Sequence, residues 1–323
     1  MITKKTQLLI RFILPAFVTL VIFILIFIHL DITEIIEGIK QSDYIWIAYA
    51  VIVALLADIL IGADKWRVFL KFLKCKITIW DSLAIRMGTS PIINILPFKL
   101  GEISKIICLT QLHKCPLLKS ISSIVGEYCL NLLSAGLLIF TGCILTQTNP
   151  YRAREITILT VIVIFTGIYI YRSNIFRAFV LRVIKKIHHK LYIVFDNLFG
   201  LNKFIGKREF LVLFFYSLFY IFTEIISFYF LCKAFSISIG FAKVFLFIPL
   251  IMIICHLPLT ILGLGTRELS ILFFFSSCAS SEKLIGLGMS YSLVEYIMPN
   301  LIGLAFTWKL SRRLSLYYEY TSN

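Results

Sequence analysis

The chain has 323 residues, of which 59% are hydrophobic and 15% are charged, and its mean hydropathy is +0.93. A water-soluble domain of this size cannot be so apolar, because its surface would consist largely of hydrocarbon. The formal net charge of +15 comes from basic residues that gather in short segments between apolar runs. Such segments are typical of the cytoplasmic loops of a membrane protein and form no basic domain for nucleic acid. The composition therefore predicts an integral protein of the plasma (cytoplasmic) membrane.

In chain order, an apolar run over about residues 8–30 follows several basic residues, which indicates a retained first helix with a cytoplasmic N-terminus. The acidic segment 31–43 is expected outside. A second helix over about 44–62 returns the chain to a basic inside loop over 65–76. Each long run meets the requirement of roughly 20 apolar residues for a span.

The segment 80–119 is apolar, but it is short and contains Arg86, Asn94 and two prolines before Gly101. A crossing here would place several lysines outside, whereas a hairpin that enters and returns keeps them inside. We therefore predict a re-entrant pair that opens to the cytoplasm. Spans over about 120–145 and 156–171 follow.

The most basic segment covers about 172–208 and carries apolar residues at helical spacing. It is either an amphipathic helix in the membrane interface or a solvated cytoplasmic linker. A span over 210–232 leads outward, and the segment 244–279 is broken like the first re-entrant one. The last helix, about 284–308, ends at basic residues and therefore inside, so the second re-entrant hairpin enters from the opposite face.

These steps predict an all-α integral membrane protein with about six spanning helices and two re-entrant broken-helix hairpins in an inverted repeat. The whole chain, 1–323, is one polytopic membrane domain with both termini in the cytoplasm. No catalytic pattern is present, and no enzyme activity, cofactor or metal site is predicted. The eight cysteines show no ligand spacing, and neither a metal site nor a disulfide is expected.

The two interrupted segments contain similar residue types. The first contains Leu96-Pro97 and Gly101-Glu102, and the second contains Leu257-Pro258 and the run Gly263-Leu264-Gly265-Thr266-Arg267-Glu268. A glutamate followed by tyrosine comes after each break, at Glu127 and at Glu295. Paired interruptions in corresponding halves point to the binding site of a transporter.

Burying Glu102 or Glu268 at mid-bilayer costs about 2.5–3.5 kcal/mol, more than the roughly 0.3–1 kcal/mol that an acid gains in the first turn of a helix. We therefore expect partners or a watery cavity. The glycines permit the turn, the helix after each break presents free N–H groups to an anion, and the guanidinium of Arg267 suits phosphate. Alternatively, Arg267 and Lys105 only neutralise the glutamates.

The predicted substrate-binding residues are Gly101, Glu102, Lys105, Gly263, Gly265, Arg267 and Glu268. The predicted coupling residues are Glu127, Glu224 and Glu295. Asp58 is expected to pair locally with the basic residues that come after its helix. The histidines show no ligand spacing and receive no role.

Three stretches together resemble the flippase-like membrane domain family of the lysylphosphatidylglycerol synthases: Lys65-Trp66-Arg67, the block from Leu96-Pro97 to Gly101-Glu102, and the run from Gly263 to Glu268. The resemblance covers about residues 8–308. It implies a flippase-like fold and a lipid substrate, and it carries Gly101-Glu102 and Arg267-Glu268 over as site residues. The sequence ends shortly after its last predicted helix, so the soluble synthase domain and aminoacyl transfer are not expected.

The leading hypothesis is a translocator of an anionic lipid, either a phospholipid or a polyprenyl-phosphate-linked glycolipid, between leaflets. Its partners are membrane lipids, and a homo-oligomer or a membrane enzyme partner stays open. One alternative is a non-transporting lipid-binding scaffold for a membrane glycosyltransferase or envelope enzyme. Another is an ion-coupled carrier of small solutes.

Overall fold

The computed structural model describes residues 4–96, 100–146, 206–256 and 260–322. Within these ranges the chain forms helices and no strands, which confirms the all-α prediction. Three helical stretches are long and apolar enough to cross a membrane, namely Tyr44–Phe72, Leu117–Leu145 and Lys207–Ala234. A fourth exists if Pro15–His29 and Ile32–Lys40, which meet at 92°, form one span. The count of six spans and the re-entrant repeat stay predictions.

The chain begins with helix α1, Lys4–His29, and then turns sharply into the short helix α2, Ile32–Lys40. Asp31 caps α2, because its carboxylate accepts a hydrogen bond from the backbone N–H of Thr33 at 2.8 Å. Asp43 caps the next helix in the same way, with the N–H of Ile45 at 2.9 Å. These acids therefore set the two turns of the acidic segment.

The first half of the remaining structure contains α3 (Tyr44–Leu56), a π-helical turn (Ala57–Gly62), α4 (Ala63–Phe72), α5 (Ile79–Ile95), α6 (Glu102–Leu112) and α7 (Leu117–Leu145). The second half contains α8 (Lys207–Ala234), α9 (Phe241–His256), a 3₁₀ turn (Ile261–Gly263), α10 (Thr266–Phe275), α11 (Ser281–Ser292), a second π-helical turn (Leu293–Ile297) and α12 (Met298–Ser322). Both halves run in the order of a long stretch, a medium helix, a break, a short helix and a long stretch.

The sequence prediction was wrong where it ended the second helix near residue 62 and placed Lys65 in a basic loop. The helix continues through the π-helical turn to Phe72, and Lys65 and Trp66 are each only 1% exposed. A π-helical turn adds a residue to the helix and rotates the residues after it onto another face. Lys65 is tolerated inside because Glu127 and Asn131 accept its hydrogen bonds.

Each medium helix packs on the last long stretch of the other half: α5 lies against α12, and α9 lies against α7. Glycines permit both crossings. A Cβ added at Gly303 of α12 would lie 2.5 Å from the carbonyl oxygen of Met87, and one at Gly142 of α7 would lie 2.7 Å from the Cα of Leu246. The central pair, α3 and α8, packs side by side. The two halves are therefore interlocked rather than placed next to each other.

A disulfide joins Cys75, after α4, to Cys115, before α7, so the expectation of no disulfide was wrong. The two Cα atoms are 5.9 Å apart, although 40 positions separate the cysteines in the sequence. The fold brings the end of α4 and the turn between α6 and α7 together, and spacing in the sequence gives no sign of that. The predicted span 156–171, nearly all of the basic segment 172–208, and the prolines of both breaks lie outside the described residues.

Candidate functional site

A cavity of about 590 Å³ lies among the helices, where α5, α6, α7, α8 and α9 face the two π-helical turns. Its charged lining residues are Asp58, Arg86, Glu102, Lys105, Glu127, Glu224 and Glu295. Ligand sites in proteins commonly measure about 300–1,000 Å³. So many ionisable groups within an apolar helical body mark a functional site, because each is expensive to place there.

Glu127 of α7 is the centre of an ion cluster at this cavity. Its Oε1 atom lies 2.9 Å from Nη1 of Arg86 and 3.1 Å from Nζ of Lys65, so one oxygen meets two cations. Lys65 also donates to Oδ1 of Asn131 at 2.9 Å. Three separate elements, α4, α5 and α7, are joined by these bonds. Removing one member would leave the others charged and unpaired.

Asp58 extends the cluster from the first π-helical turn. Its Oδ1 atom lies 3.4 Å from Nη2 of Arg86 and accepts a hydrogen bond from the hydroxyl of Tyr220 at 2.8 Å. The ring of Tyr220 also lies below both cations, with its centroid 5.0 Å from Nζ of Lys65 and 5.5 Å from Cζ of Arg86. The expected local pairing of Asp58 is therefore not what the structure shows, because Asp58 pairs with Arg86, 28 positions away.

The side chains at the first break face the cavity. Glu102 begins α6, and its Oε2 lies 3.1 Å from Nζ of Lys105 one turn later. Its Oε1 accepts a hydrogen bond from the hydroxyl of Tyr128 at 2.7 Å. All three residues line the cavity. Gly101 lies behind them, where a Cβ would meet the backbone of Ile93 on α5.

At the second break, Arg267 and Glu268 are 1% and 0% exposed, and neither lines the cavity. Glu268 accepts hydrogen bonds from the backbone N–H of Gly265 at 2.6 Å and from the hydroxyl of Ser292 at 2.5 Å. Arg267 donates to that same hydroxyl at 2.7 Å, and its guanidinium lies 3.6 Å from the ring centroid of Tyr296. Ser292 thus bridges the two charges.

The backbone of the second break requires glycine. Gly263 has φ +73° and Gly265 has φ +87°, a region that L side chains rarely adopt. Leu262 also has a positive φ of 59°, and its carbonyl oxygen accepts a hydrogen bond from Arg267 at 2.9 Å. Arg267 and Glu268 therefore hold a tightly turned backbone in place, which makes them positioning residues of the turn.

Glu224 of α8 and Glu295 of the second π-helical turn both line the cavity. Oε2 of Glu224 and Oε1 of Glu295 are buried and make no hydrogen bond within the described parts of the chain. Glu224, which the sequence analysis named as a coupling residue, is buried and faces the interior of the bundle. Both carboxyl groups are thus available to a ligand of the cavity.

The sequence prediction of the site overlaps the cavity in part. Glu102, Lys105, Glu127, Glu224 and Glu295 line it, whereas Gly263, Gly265, Arg267 and Glu268 form the turn beside it. Arg86 and Lys65 were missed as site residues. The signal for Arg86 was available, because an arginine within an apolar segment is expensive and usually functional. Lys65 was hidden by its position among basic residues.

Neutral polar side chains add a further part of the lining. The hydroxyl of Ser90 and the amide nitrogen of Asn94, both on α5, lie 2.7 Å and 2.9 Å from Oδ1 of Asn300 on α12. Ser90 and Asn94 line the cavity together with Asn131 and His256. Amides and hydroxyls of this kind both donate and accept hydrogen bonds, so they suit the hydroxyl groups of a polar ligand.

Comparison with curated protein sequences gave no significant match. A family model described as the lysylphosphatidylglycerol synthase TM region matches residues 12–303. This range contains the cavity, both breaks and nearly all of the described helices. It confirms the resemblance found in the sequence and indicates an integral membrane protein related to lipid handling. The chain belongs to the family of the lysylphosphatidylglycerol synthase transmembrane region.

Proposed function

We propose that this protein moves an anionic lipid, a phospholipid or a polyprenyl-phosphate-linked glycolipid, between the leaflets of the plasma membrane. The observation that carries the proposal is a cavity of about 590 Å³ lined by charged side chains within an apolar helical body of a lipid-handling family. A polar headgroup cannot cross the hydrocarbon layer unaided, because its polar groups would lose their hydrogen bonds to water. A charged cavity replaces those bonds.

The size of the cavity fits a headgroup rather than a whole lipid. A volume of about 590 Å³ accommodates a phosphate with a small polar substituent. The acyl or prenyl chains would then remain in the surrounding bilayer, where they lose no favourable contact with hydrocarbon. Ser90, Asn94 and Asn131 provide hydrogen bonds for the hydroxyl groups of a glycerol or a sugar.

Arg86 and Lys105 are the residues that we propose to hold the phosphate. Both line the cavity, and both have more N–H donors than their present acceptors use. Glu127 and Glu102 occupy them in the absence of lipid, and a phosphate would compete for the same donors. The sequence-based assignment of the phosphate to Arg267 is replaced, because Arg267 is buried and does not line the cavity.

The short helices α6 and α10, which come after the two breaks, are the proposed gates. Each helix follows a glycine. Glu102 and Lys105 of α6 line the cavity, and Arg267 of α10 lies against the ring of Tyr296, which lines the cavity. If the two hairpins enter from opposite faces, as charge counting predicts, their alternate movement would expose the cavity to one leaflet at a time. We assign no catalytic residue and propose that both termini lie in the cytoplasm.

Leaflet-resolved transport in reconstituted vesicles tests the proposal. Vesicles of phosphatidylcholine and phosphatidylglycerol would contain a trace of phosphatidylglycerol with a fluorescent label, which an impermeant reductant quenches only in the outer leaflet. We expect the protein to make the protected fraction accessible. Arg86→Gln should abolish this exchange, and Arg312→Gln, at an exposed residue near the end of α12, is the matched control.

Two results would contradict the proposal. Exchange that is the same in the wild-type protein, in Arg86→Gln and in protein-free vesicles would show that no translocation occurs. Lipid that binds without exchange would instead favour the scaffold alternative, in which the protein would copurify with a membrane enzyme. Sodium- or proton-driven uptake of a water-soluble solute would favour the small-solute carrier.

A further inference from the structure

Glu224 and Glu295 are the two carboxyl groups of the cavity that form no ion pair with a base among the described residues. Glu224 is only 8% exposed, and one oxygen of each carboxyl makes no hydrogen bond among the described residues. Both carboxyls line the same cavity, although they lie on different elements, α8 and the second π-helical turn. A buried polar group without a partner is costly, so this arrangement implies something else that satisfies it.

The other charges of the cavity are already matched. Lys105 pairs with Glu102, and Lys65 and Arg86 pair with Glu127 and Asp58. Three bases therefore face three acids within the described part of the chain, and Glu224 and Glu295 are left over. If both were ionised, the site would carry two uncompensated negative charges before any ligand entered.

In the part of the chain that the structure describes, no further base lies near the pair to neutralise it. The charged and polar groups around the pair are Asp58, Lys65, Arg86 and Arg267, the phenols of Tyr220, Tyr291 and Tyr296, and the hydroxyl of Ser227. Ser292 bridges Arg267 to Glu268, and the carboxylate of Glu268 balances the charge of Arg267. The hydroxyl of Ser227 hydrogen-bonds to Glu295 and also lies 3.3 Å from the carbonyl oxygen of Ala50, and the hydroxyl of Tyr291 has no hydrogen-bond partner among the described residues.

An anionic headgroup would make this imbalance worse. Like charges in one cavity of low dielectric constant repel strongly, so two buried carboxyls that share a cavity favour a state in which one of them holds a proton. We propose that Glu224 and Glu295 form a proton-binding site, and that the anionic lipid headgroup binds in the cavity together with a proton held by this pair. The inference rests on the proposed function and adds a co-substrate to it.

Infrared spectroscopy tests the proton site without any transport assay. The protein in lipid nanodiscs at neutral pH should show the carbonyl stretch of a protonated carboxylic acid. Glu224→Gln and Glu295→Gln should each remove or shift this band, because each removes half of the pair. Glu34→Gln is the matched control, since Glu34 is exposed on α2 and should leave the band unchanged. A wild-type spectrum without such a band would overturn the proton site.

Calorimetry tests the coupling between proton and lipid. Short-chain phosphatidylglycerol would be titrated into the detergent-purified protein in two buffers of different ionisation enthalpy, which reports the protons taken up. Above the titration range of the pair we expect about one proton to be taken up per lipid, and the affinity should fall there about tenfold per pH unit. Glu224→Gln mimics the protonated side chain and should flatten this dependence, with the wild-type slope retained in Glu34→Gln.

The outcomes separate this inference from the proposed function. Lipid exchange that proceeds in vesicles without proton uptake would overturn the inference and leave translocation standing. A protonated pair in a protein that moves no phosphatidylglycerol would overturn translocation and leave the proton site standing. Binding that needs sodium at fixed pH, or that prefers phosphatidylethanolamine without proton uptake, would overturn the inference in favour of another cation at the pair.

Discussion

The turn before α6 and the turn before α10 carry the same residue types, a glycine, a glutamate and a nearby base, but their side chains lie in different surroundings. Glu102 and Lys105 face the cavity and pair within one helical turn. Arg267 and Glu268 are buried beside the cavity without lining it, and they are joined through Ser292. The first turn therefore presents its charges to a ligand, and the second uses its charges to hold the backbone.

Helix α1 accounts for part of this difference. The hydroxyl of Thr19 accepts a hydrogen bond from the backbone N–H of Ile261, and Ile22 lies against Gly265. The first break has no such support from α1 among the described contacts. A turn that is packed on its outer side keeps its shape and would move only as a rigid unit, whereas one that borders a cavity is free to change shape with a ligand. Two turns of similar sequence therefore differ in role: the turn before α6 is proposed to bind a ligand, and the turn before α10, called the braced turn below, is held in place by α1.

The largest expected effect concerns the side of the membrane that each turn region faces. Single cysteines would replace Leu117, after α6, and Ser277, after α10, in a chain whose eight natural cysteines are substituted. Both positions are exposed, unlike Glu268 itself. We expect an impermeant thiol reagent to label them from opposite sides of the membrane. Labelling of both from one side would contradict the inverted repeat.

The next effect compares the two bases. Arg267→Met leaves the fully buried Glu268 without its charge partner, which should lower the free energy of unfolding by about 3–5 kcal/mol. Lys105→Met leaves Glu102 beside the cavity with the hydroxyl of Tyr128, so a loss of about 1–3 kcal/mol is expected. Unfolding in mixed detergent micelles measures both. Arg67→Met, at a partly exposed pair with Asp64, is the control.

Transport should rank the same variants in another order. Lys105→Met should abolish lipid exchange in folded protein, because Lys105 is a proposed phosphate ligand. Arg267→Met should lower exchange only in proportion to the protein that it unfolds. A folded Arg267→Met protein with no exchange, beside an active Lys105→Met, would reverse the roles assigned to the two turns.

The sequence predicted the helical class, the family and the importance of both breaks, because hydrophobic runs, proline and glycine act locally. It also predicted that Glu102, Lys105, Glu127, Glu224 and Glu295 belong to the site, since a buried charge in a membrane segment needs a reason. It could not separate the two turns. Whether a guanidinium faces a cavity or a serine depends on tertiary contacts, such as that between Arg267 and Ser292, 25 positions apart.

The dependence on tertiary contacts also explains why the sequence did not predict Lys65 as a site residue or the disulfide. Lys65 comes after an apolar run and precedes other basic residues, which is the pattern of a cytoplasmic loop. Only the π-helical turn before it and the acceptors Glu127 and Asn131, which come from α7, make it an interior residue. The disulfide between Cys75 and Cys115 is likewise a product of how α4 and α6 end near each other.

Replacing the glycine of either turn by alanine should lower stability by a smaller amount, and the physical cause differs between the two turns. Gly101 has an ordinary φ of −60°, so Gly101→Ala causes no backbone strain. Its new methyl group would, however, meet the backbone of Ile93, and α6 must move away from α5. This movement should lower the free energy of unfolding by about 1–3 kcal/mol. In Gly265→Ala the alanine must adopt a φ of +87°, and this backbone strain should lower the free energy of unfolding by about 1–3 kcal/mol. Gly240→Ala, where a Cβ has open space, is the control for both.

Activity separates these two glycine variants. Displacement of α6 moves Glu102 and Lys105 relative to the cavity, so Gly101→Ala should lose lipid exchange beyond its loss of stability. Strain at Gly265→Ala lies in the braced turn and should reduce exchange only through folding. Equal losses of exchange at equal folded fractions would show that both turns shape the cavity.

The smallest expected effect compares two tyrosines: Tyr128, which acts through its hydroxyl, and Tyr296, which acts through its ring. Tyr128→Phe removes the hydrogen bond to Glu102, so it should lower the free energy of unfolding by about 1 kcal/mol and weaken lipid exchange. Tyr296→Phe keeps the aromatic face that lies 3.6 Å from the guanidinium of Arg267, so both quantities should stay near the wild-type values. Tyr296→Leu removes that face and should cost about 1–2 kcal/mol. If Tyr296→Phe were as damaging as Tyr296→Leu, the hydroxyl of Tyr296, which lines the cavity, would matter more than the contact of its ring with Arg267.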